Sequence, residues 1–171
     1  MALQKLLALA SGKIAEYSPL QVSAGAGSAG AIPALNSAGQ IDLTMMPTGI
    51  GPDTASILAS EALAAAALVN VWSNGGTQNA RNADGSASGK LAVGFVLAAV
   101  ASGAMALVYG AGIITGLSGL TPGAPCYLSD TTPGQITQTA PTTSGHVLQQ
   151  VGVALSPTTM QFQPLADIVR A

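Results

Sequence analysis

The sequence predicts a mainly β protein: a small antiparallel β-barrel or sandwich that carries an extended, Gly-rich N-terminal arm. From residue 53 onward, turn-forming groups such as Asn74-Gly75-Gly76 and Thr132-Pro133-Gly134 recur at short intervals between apolar runs. Met105, Leu107 and Tyr109 alternate with smaller residues, which is the period-two pattern of a strand. Residues 1–52 differ: a Gly-rich linker and few large apolar residues follow their short first apolar run, so we predict an arm over 1–52 and a β domain over 53–171.

The longest uncharged stretch, Leu91–Ser129, has two interpretations. Its first half is apolar enough to predict a membrane helix, since about 20 such residues span a bilayer. However, Ser102-Gly103 divides it into runs of strand length, and no Lys/Arg cluster flanks it to orient a span. We therefore predict buried strands and no contact with a membrane.

The first residues could be mistaken for a signal peptide. Their apolar core, Leu6–Ala10, is short, and only one lysine precedes it. We expect a short amphipathic helix or a surface arm instead. Pro19 then interrupts any helix, because proline disfavours helical geometry in the residue before it.

The remainder of the arm is poor in large apolar side chains. Ser23–Ala31 has the composition of a flexible linker. A tiny hairpin is predicted next, with strands at 31–35 and 40–43 joined by a turn at 36–39. Because this segment cannot build a core of its own, we expect it to lie on another surface.

In the β domain, strands are predicted near 54–59, 67–73, 78–82, 91–98, 104–109, 112–116, 125–129, 135–139, 146–155 and 159–163. Residues 60–68 conflict with this series, since their Ala and Leu content predicts a helical turn or short helix. The runs Val93–Ala98 and Val151–Ser156 resemble each other and predict related positions in one barrel. In both, the glycine is expected at a bulge or a close backbone approach.

The composition indicates that other copies of the chain, or another protein, cover much of its surface. Charged residues make up 7% of the chain and the net charge is −2, against about 25% charged residues in ordinary soluble domains. With so few charges, there is little electrostatic repulsion to keep separate copies of the chain apart in water. The composition therefore predicts an obligate oligomer or a large assembly. The five cations are scattered, which argues against nucleic-acid binding.

Motifs for chemistry are weak. Gly25–Gly30 satisfies G-x-G-x-x-G but lacks the preceding strand and following helix that dinucleotide binding requires. The single histidine, His146, has no neighbouring partner motif, and the single cysteine, Cys126, is expected to be buried. We therefore predict no catalytic residues, no cofactor and no metal site; Asn82-Ala83-Asp84-Gly85 favours a turn over a calcium loop.

Three further side chains have open roles. Trp72 is expected to pack in the core or between subunits, with sugar stacking as the alternative. Met45 and Met46 could either pack locally or dock into the grooves of a partner, since thioether side chains adapt to irregular surfaces.

Two groups of residues resemble bacteriophage virion proteins. Residues 31–42, followed by Met46-Pro47, are similar to the K-I-P-x-L-x-x-x-G-x-I-D…P segment found in capsid decoration (cement) proteins and in head or tail fibres. The remainder is similar to the β-barrel domain of tailed-phage decoration proteins. This similarity rests on Glu61-Ala62-Leu63, Val69-Asn70-Val71, Val93–Val96, Gly116–Gly123, Tyr127-Leu128-Ser129 and Val151–Ala154. Ala64–Ala67 departs from the Gly and polar residue common in that family.

The resemblance implies a homotrimeric knob on the outer capsid surface that clamps subunits of the major capsid protein, without catalysis. On this basis the expected capsid-contact residues are Ile32, Leu35, Ile41, Met45 and Met46. The expected trimer-contact residues are Met105, Leu107 and Tyr109. The alternatives are a head or tail fibre component that contacts the host, a small carbohydrate-binding or hydrolytic β domain, and the membrane protein considered above.

Overall fold

A computed structural model describes residues 5–10, 12–37, 39–46 and 53–171. The chain divides into two compact units, residues 1–51 and 52–171. Within its described part, the structure is mainly β, and the predicted fold class is confirmed.

The N-terminal unit begins with a β-hairpin. Strand β1 (Leu6–Ala10) pairs antiparallel with β2 (Lys13–Tyr17), in a register that places Leu7 opposite Glu16 and Leu9 opposite Ile14. Gly12, at φ 77°, lies directly before β2 and supplies the left-handed backbone that tight hairpin turns require. Of the two alternatives expected for this segment, the helix is therefore wrong, because the turn pairs the apolar run Leu6–Ala10 with Lys13–Tyr17 as strands. The surface arm stays a prediction.

The predicted hairpin over 31–43 is also wrong, although its turn forms. The Asn36 N–H donates to the Gln40 carbonyl at 2.8 Å, as a turn at this position requires. Leu20, however, bonds the backbone of the first predicted strand: its N–H donates to the Ile32 carbonyl at 2.8 Å and its carbonyl accepts from the Ala34 N–H at 2.6 Å. Two 3₁₀ helices, Gly25–Ser28 and Leu43–Met45, make up the other regular elements described here.

Twelve strands lie in the C-terminal unit, β3 to β14. Five of them precede residue 110: β3 (Thr54–Ala59), β4 (Leu68–Asn74), β5 (Thr77–Asn82), β6 (Gly94–Phe95) and β7 (Met105–Tyr109). The other seven are β8 (Gly112–Ile114), β9 (Pro125–Leu128), β10 (Ile136–Thr137), β11 (Val147–Leu148), β12 (Gln150–Ser156), β13 (Thr159–Phe162) and β14 (Ile168–Val169).

The five strands β3 to β7 pair in a closed ring, a barrel, in the order β3-β5-β4-β6-β7. The β3–β5 pairing is parallel and the others are antiparallel, and the ring closes through β6, which is only two residues long. Its interior is filled by mostly small side chains: Ile57, Ala59, Leu63, Ala67, Val69, Ala80, Val96, Ala106 and Val108. Such residues suit a barrel this narrow, because the interior widens with strand number.

The next strands form an antiparallel sheet in the order β10-β9-β12-β13-β8, and β11 pairs separately with β14. A second core packs this sheet against the outside of the barrel, as in a sandwich. It joins Leu68 and Phe95 of the barrel to buried residues of the sheet, including Ile114, Leu128, Met160 and Phe162. One continuous strand was expected over 146–155, but it is divided at Gln149 into β11, which pairs with β14, and β12, which pairs with β9 and β13. The buried side chain of Gln149 bonds the backbone of Ala92.

The uncharged stretch Leu91–Ser129 contains β6, β7, β8 and β9, so its interpretation as strands is confirmed. Among the described residues, no helix has the length and apolar character needed to cross a membrane. The strand expected over 91–98 is, however, reduced to the two residues of β6.

The helix expected over 60–68 is wrong. Leu63 and Val100 exchange two backbone hydrogen bonds of 2.9 Å, which a helix would exclude. Ala66 then takes a positive φ of 62° in a turn closed by the Ala67 N–H on the Ala64 carbonyl. Tertiary pairing therefore overrides the helical propensity of the alanines.

The similar runs at 93–98 and 151–156 lie in different layers, β6 in the barrel and β12 in the sheet, so their predicted equivalence in one barrel is wrong. Close approach at both glycines is confirmed. A Cβ on Gly94 would lie 2.6 Å from Val108 Cγ1, and one on Gly152 would collide with the Gln161 carbonyl oxygen. The register of β12 against β9 also shifts between Gln150 and Gly152.

Candidate functional site

The strongest catalytic candidate in the sequence, His146, lies beside a carboxylate. Its Nδ1 is 3.0 Å from Asp130 Oδ2, and both side chains are mostly buried. Within the described residues, no Ser, Thr or Cys side chain hydrogen-bonds the imidazole. The pair therefore lacks the nucleophile of a triad, and it sits where the His146 and Arg170 backbones bond each other beside β14.

The other candidate motifs do not form sites in the described part of the chain. Gly25–Ser28 is a 3₁₀ turn, with neither the strand nor the helix of a dinucleotide site. No group of three His, Cys, Asp or Glu residues there is placed to hold a metal ion. Cys126 is buried, as predicted, and this burial raises the pKa of its thiol.

Asp84, in the stretch Asn82–Gly85 that was weighed as a calcium loop, closes a turn. Burial alone would raise its pKa, but hydrogen bonds from Ser86 and the Lys90 ammonium lower it below the ordinary value. The Ser86 N–H donates to Oδ1 at 2.9 Å and Lys90 Nζ lies 3.1 Å from Oδ2. The predicted turn is therefore confirmed.

A polar cleft of about 530 Å³ opens beside strands β4 and β5. Its lining residues include Ser60, Glu61, Trp72, Arg81, Asp84 and Lys90. The Arg81 guanidinium lies over the Trp72 ring, 4.7 Å from its centroid. Trp72 is thus neither core nor a bare platform: its ring is half-buried, and it forms a wall of this cleft.

Among the described residues, the most exposed large apolar side chains lie on one face of the β1–β2 hairpin. Leu7, Leu9 and Ile14 are 77%, 76% and 76% exposed. The register places all three on the same side of the ribbon, with Glu16 opposite Leu7. A two-stranded hairpin is marginally stable alone in water, so this face is suited to contact another surface.

The predicted capsid-contact residues follow along the same unit. Ile32, Leu35, Ile41 and Met46 are exposed, while Met45, in the 3₁₀ helix, is half-buried. Asp42 beside them accepts hydrogen bonds from the Thr44 hydroxyl and N–H, which lower the pKa of its carboxyl. The arm therefore presents apolar side chains along with the hairpin face, although Pro47 of the quoted motif lies outside the described residues.

Two of the predicted trimer-contact residues share an exposed face of the barrel. Met105 lies opposite Leu58 and Leu107 opposite Ser56 on neighbouring strands, and these side chains point outward. We call Leu58, Met105 and Leu107 the barrel strip. Tyr109 continues the same row but its ring stacks on Phe95, so it packs within the chain.

A third apolar row crosses the outer face of the five-stranded sheet. Val153 lies opposite Gln161, which lies opposite Ile113 on the next strand, and both apolar side chains are exposed. Sequence reasoning missed this row and the hairpin face. The signal was present in the hairpin as Leu7, Leu9 and Ile14, but it could be used only once Gly12 was known to be a turn.

Known protein families, curated proteins and solved structures were compared with this chain, and none of them matches it.

Proposed function

We propose that this chain is a capsid decoration protein of a tailed bacteriophage, which binds the outer capsid surface as an oligomer and stabilises the shell. The N-terminal unit contacts the major capsid protein or a neighbouring copy. The C-terminal unit forms the projecting knob. The resemblance of residues 31–47 and of the β domain to such proteins motivates the proposal.

The observation that carries it is the hairpin face. Three large apolar side chains on one side of a two-stranded ribbon leave most of their surface in water. Burying such side chains fully stabilises an assembly by about 1.5–3 kcal/mol each. Both edges of the hairpin also lack a neighbouring strand in the described structure, so the ribbon can add to a partner's sheet.

Self-association is assigned to the barrel strip. Leu58, Met105 and Leu107 are uncharged, adjacent across two strands and supported by a packed barrel. Patches of this kind on an otherwise charge-poor surface favour contacts between copies. A homotrimer is the arrangement that the resemblance implies.

Stabilisation of the shell follows from mass action. A protein that binds assembled capsid and has little affinity for free subunits shifts the equilibrium toward the shell. This requires only differential binding and no chemistry.

Deletion of residues 1–46 tests the proposal. The C-terminal unit has its own two cores, so we expect the truncated chain to fold. Copies per virion, measured by quantitative mass spectrometry, should fall sharply, and the heat resistance of the capsid should fall with them. Unchanged occupancy would contradict a role for the arm in capsid binding.

A head or tail fibre component that contacts the host is the second candidate. The polar cleft beside Trp72 favours it, because a host-binding protein needs a recognition site that a cement protein does not. Copy number separates the two functions. Hundreds of copies per virion indicate decoration, whereas a dozen or fewer indicate a fibre.

A further inference from the structure

The cleft beside Trp72 holds an unusual share of the polar chemistry of this chain. Four of the eight charged residues between 53 and 171 line it: Glu61, Arg81, Asp84 and Lys90. It also contains the only tryptophan of the sequence. In a protein with 7% charged residues, this concentration is not accounted for by a role in the barrel or sheet cores.

Hydrogen bonds to the rest of the protein hold the Arg81 and Trp72 side chains that line the cleft. Arg81 Nε donates to Asn70 Oδ1 at 2.9 Å and its Nη2 donates to the Gly89 carbonyl at 3.0 Å. Nη1 has no hydrogen bond in the described part of the chain, so it can donate to a ligand. The Trp72 ring, under the guanidinium, is fixed by its Nε1–H on Ser60 Oγ at 3.3 Å.

An acceptor is held on the same cleft in a similar way. Glu61 Oε1 accepts from the Asn82 backbone N–H at 2.7 Å and from Asn82 Nδ2 at 2.8 Å. Its second oxygen, Oε2, has no hydrogen bond among the described residues. The cleft therefore offers a fixed donor and a fixed acceptor, and a pre-organised site loses less side-chain entropy on binding.

We propose that this cleft binds a neutral saccharide. Two positive and two negative side chains balance, which disfavours a strongly anionic or cationic ligand. Vicinal hydroxyls both donate and accept hydrogen bonds, which matches Arg81 Nη1 and Glu61 Oε2. The volume of about 530 Å³ lies within the 300–1,000 Å³ of ordinary small-ligand sites, but the polar lining favours a hydroxyl-rich molecule over an apolar one.

The inference goes beyond the proposed capsid function and does not depend on it. A saccharide site on a decoration protein would let a virion adhere to carbohydrate-coated surfaces. Binding is measured on the purified chain, whereas the capsid function is measured on virions, so failure of one is distinguishable from failure of the other.

The test is a titration of the full chain with neutral oligosaccharides of glucose, mannose, galactose and N-acetylglucosamine, each raised to about 10 mM, a range that detects weak binding. Trp72, as the only tryptophan, reports binding by its fluorescence. We expect a saturable change with at least one neutral probe. Absence of a response to all of them, or stronger binding of a sulfated or uronic-acid oligosaccharide, would overturn the proposal.

Variants locate the site. Arg81→Lys keeps the charge but loses the guanidinium fork, and Glu61→Gln keeps the size but loses the charge; each should weaken binding about tenfold or more. If either variant loses its native circular dichroism, Asn74→Ala at the exposed rim of the cleft replaces it, with a smaller expected loss. Ile113→Ala on the outer sheet face is the control, and an equal loss there would overturn the assignment.

Discussion

The ring of Phe95 stacks on the ring of Tyr109, with centroids 5.4 Å apart and planes inclined by 18°. Phe162, on the opposing sheet, meets Phe95 edge to face at 5.3 Å. Phe95 therefore joins the barrel to the sheet. In a chain that contains two phenylalanines and one tryptophan, this cluster is the main aromatic contribution to the core.

We expect Phe95→Ala to destabilise the C-terminal unit by about 3–5 kcal/mol, because it removes a fully buried ring and leaves a cavity between the layers. Chemical denaturation followed by circular dichroism measures the loss. Leu97→Ala, two residues away and exposed, is the matched control and should change the free energy of unfolding by less than about 1 kcal/mol. Equal losses of unfolding free energy in the two variants would show that the packing of the barrel against the sheet does not depend on the Phe95 ring.

Gly152→Ala is expected to be strongly destabilising, by about 2 kcal/mol or more. The new Cβ would collide with the carbonyl oxygen of Gln161 on the paired strand, and backbone cannot move aside cheaply. Gly116→Ala is the control: its φ of 79° strains an alanine, but no atom lies within 4 Å of the added Cβ, so only about 1 kcal/mol is expected. A smaller loss at Gly152 than at Gly116 would contradict this account.

The strands of the C-terminal unit were largely predictable because their periodicity and turns are local signals. In β7, the alternation of Met105 and Leu107 with Ala106 and Val108 gave both the strand and its two faces. Which face is buried was not readable from the sequence. It depends on how the five strands close: Ala106 and Val108 share the narrow interior with Ile57, Leu63 and other mostly small residues, which leaves Met105 and Leu107 on the outside.

Two of the failures, at 31–35 and at 60–68, share one physical cause, which is pairing with a residue that the local sequence does not identify. Leu20 takes the hydrogen bonds of the predicted strand at 31–35, and Val100 takes those of Leu63. Neither partner can be identified from local propensity. The cleft was missed for the same reason, since Glu61, Trp72 and Lys90 meet only when the barrel closes.

Stability should fall in acid partly through Asp84. Its folded-state pKa is lowered by the Ser86 and Lys90 contacts, so the carboxylate stabilises the fold above its unfolded pKa of about 3.9. That contribution is lost as pH falls through the lower folded value. Asp84→Asn should therefore reduce the melting temperature at pH 7. Between about pH 5 and pH 2, the melting temperature of this variant should fall by less than that of the wild type.

The control for this experiment is Asp167→Asn, since Asp167 is exposed. The melting temperature of the Asp167→Asn variant should change with pH as that of the wild type does. Parallel profiles for the wild type and the Asp84 variant would mean that the turn closed by Asp84 does not contribute to acid sensitivity.

The barrel strip predicts the behaviour of the purified chain in solution. Met105→Asp and Leu107→Asp place charges on side chains that are 58% and 45% exposed, so the barrel itself should fold. We expect the wild type to elute as an oligomer and both variants to dissociate toward monomer, measured by light scattering after size exclusion. Ile113→Asp, on the outer row of the sheet, should leave the mass unchanged, and a monomeric wild type would contradict self-association through this strip.

Leu9→Asp tests the hairpin face without removing the arm. Leu9 is 76% exposed, so its replacement should leave the melting temperature of the chain nearly unchanged. If this side chain is buried against a capsid subunit, losing its apolar contact should cost about 1.5–3 kcal/mol, or roughly tenfold or more in affinity. Leu165→Asp makes the same change at an exposed leucine of the other unit and should bind capsids as the wild type does. Binding to undecorated capsids, quantified by cosedimentation, measures both variants; equal affinities for Leu9→Asp and the wild type would remove the hairpin face from the interface.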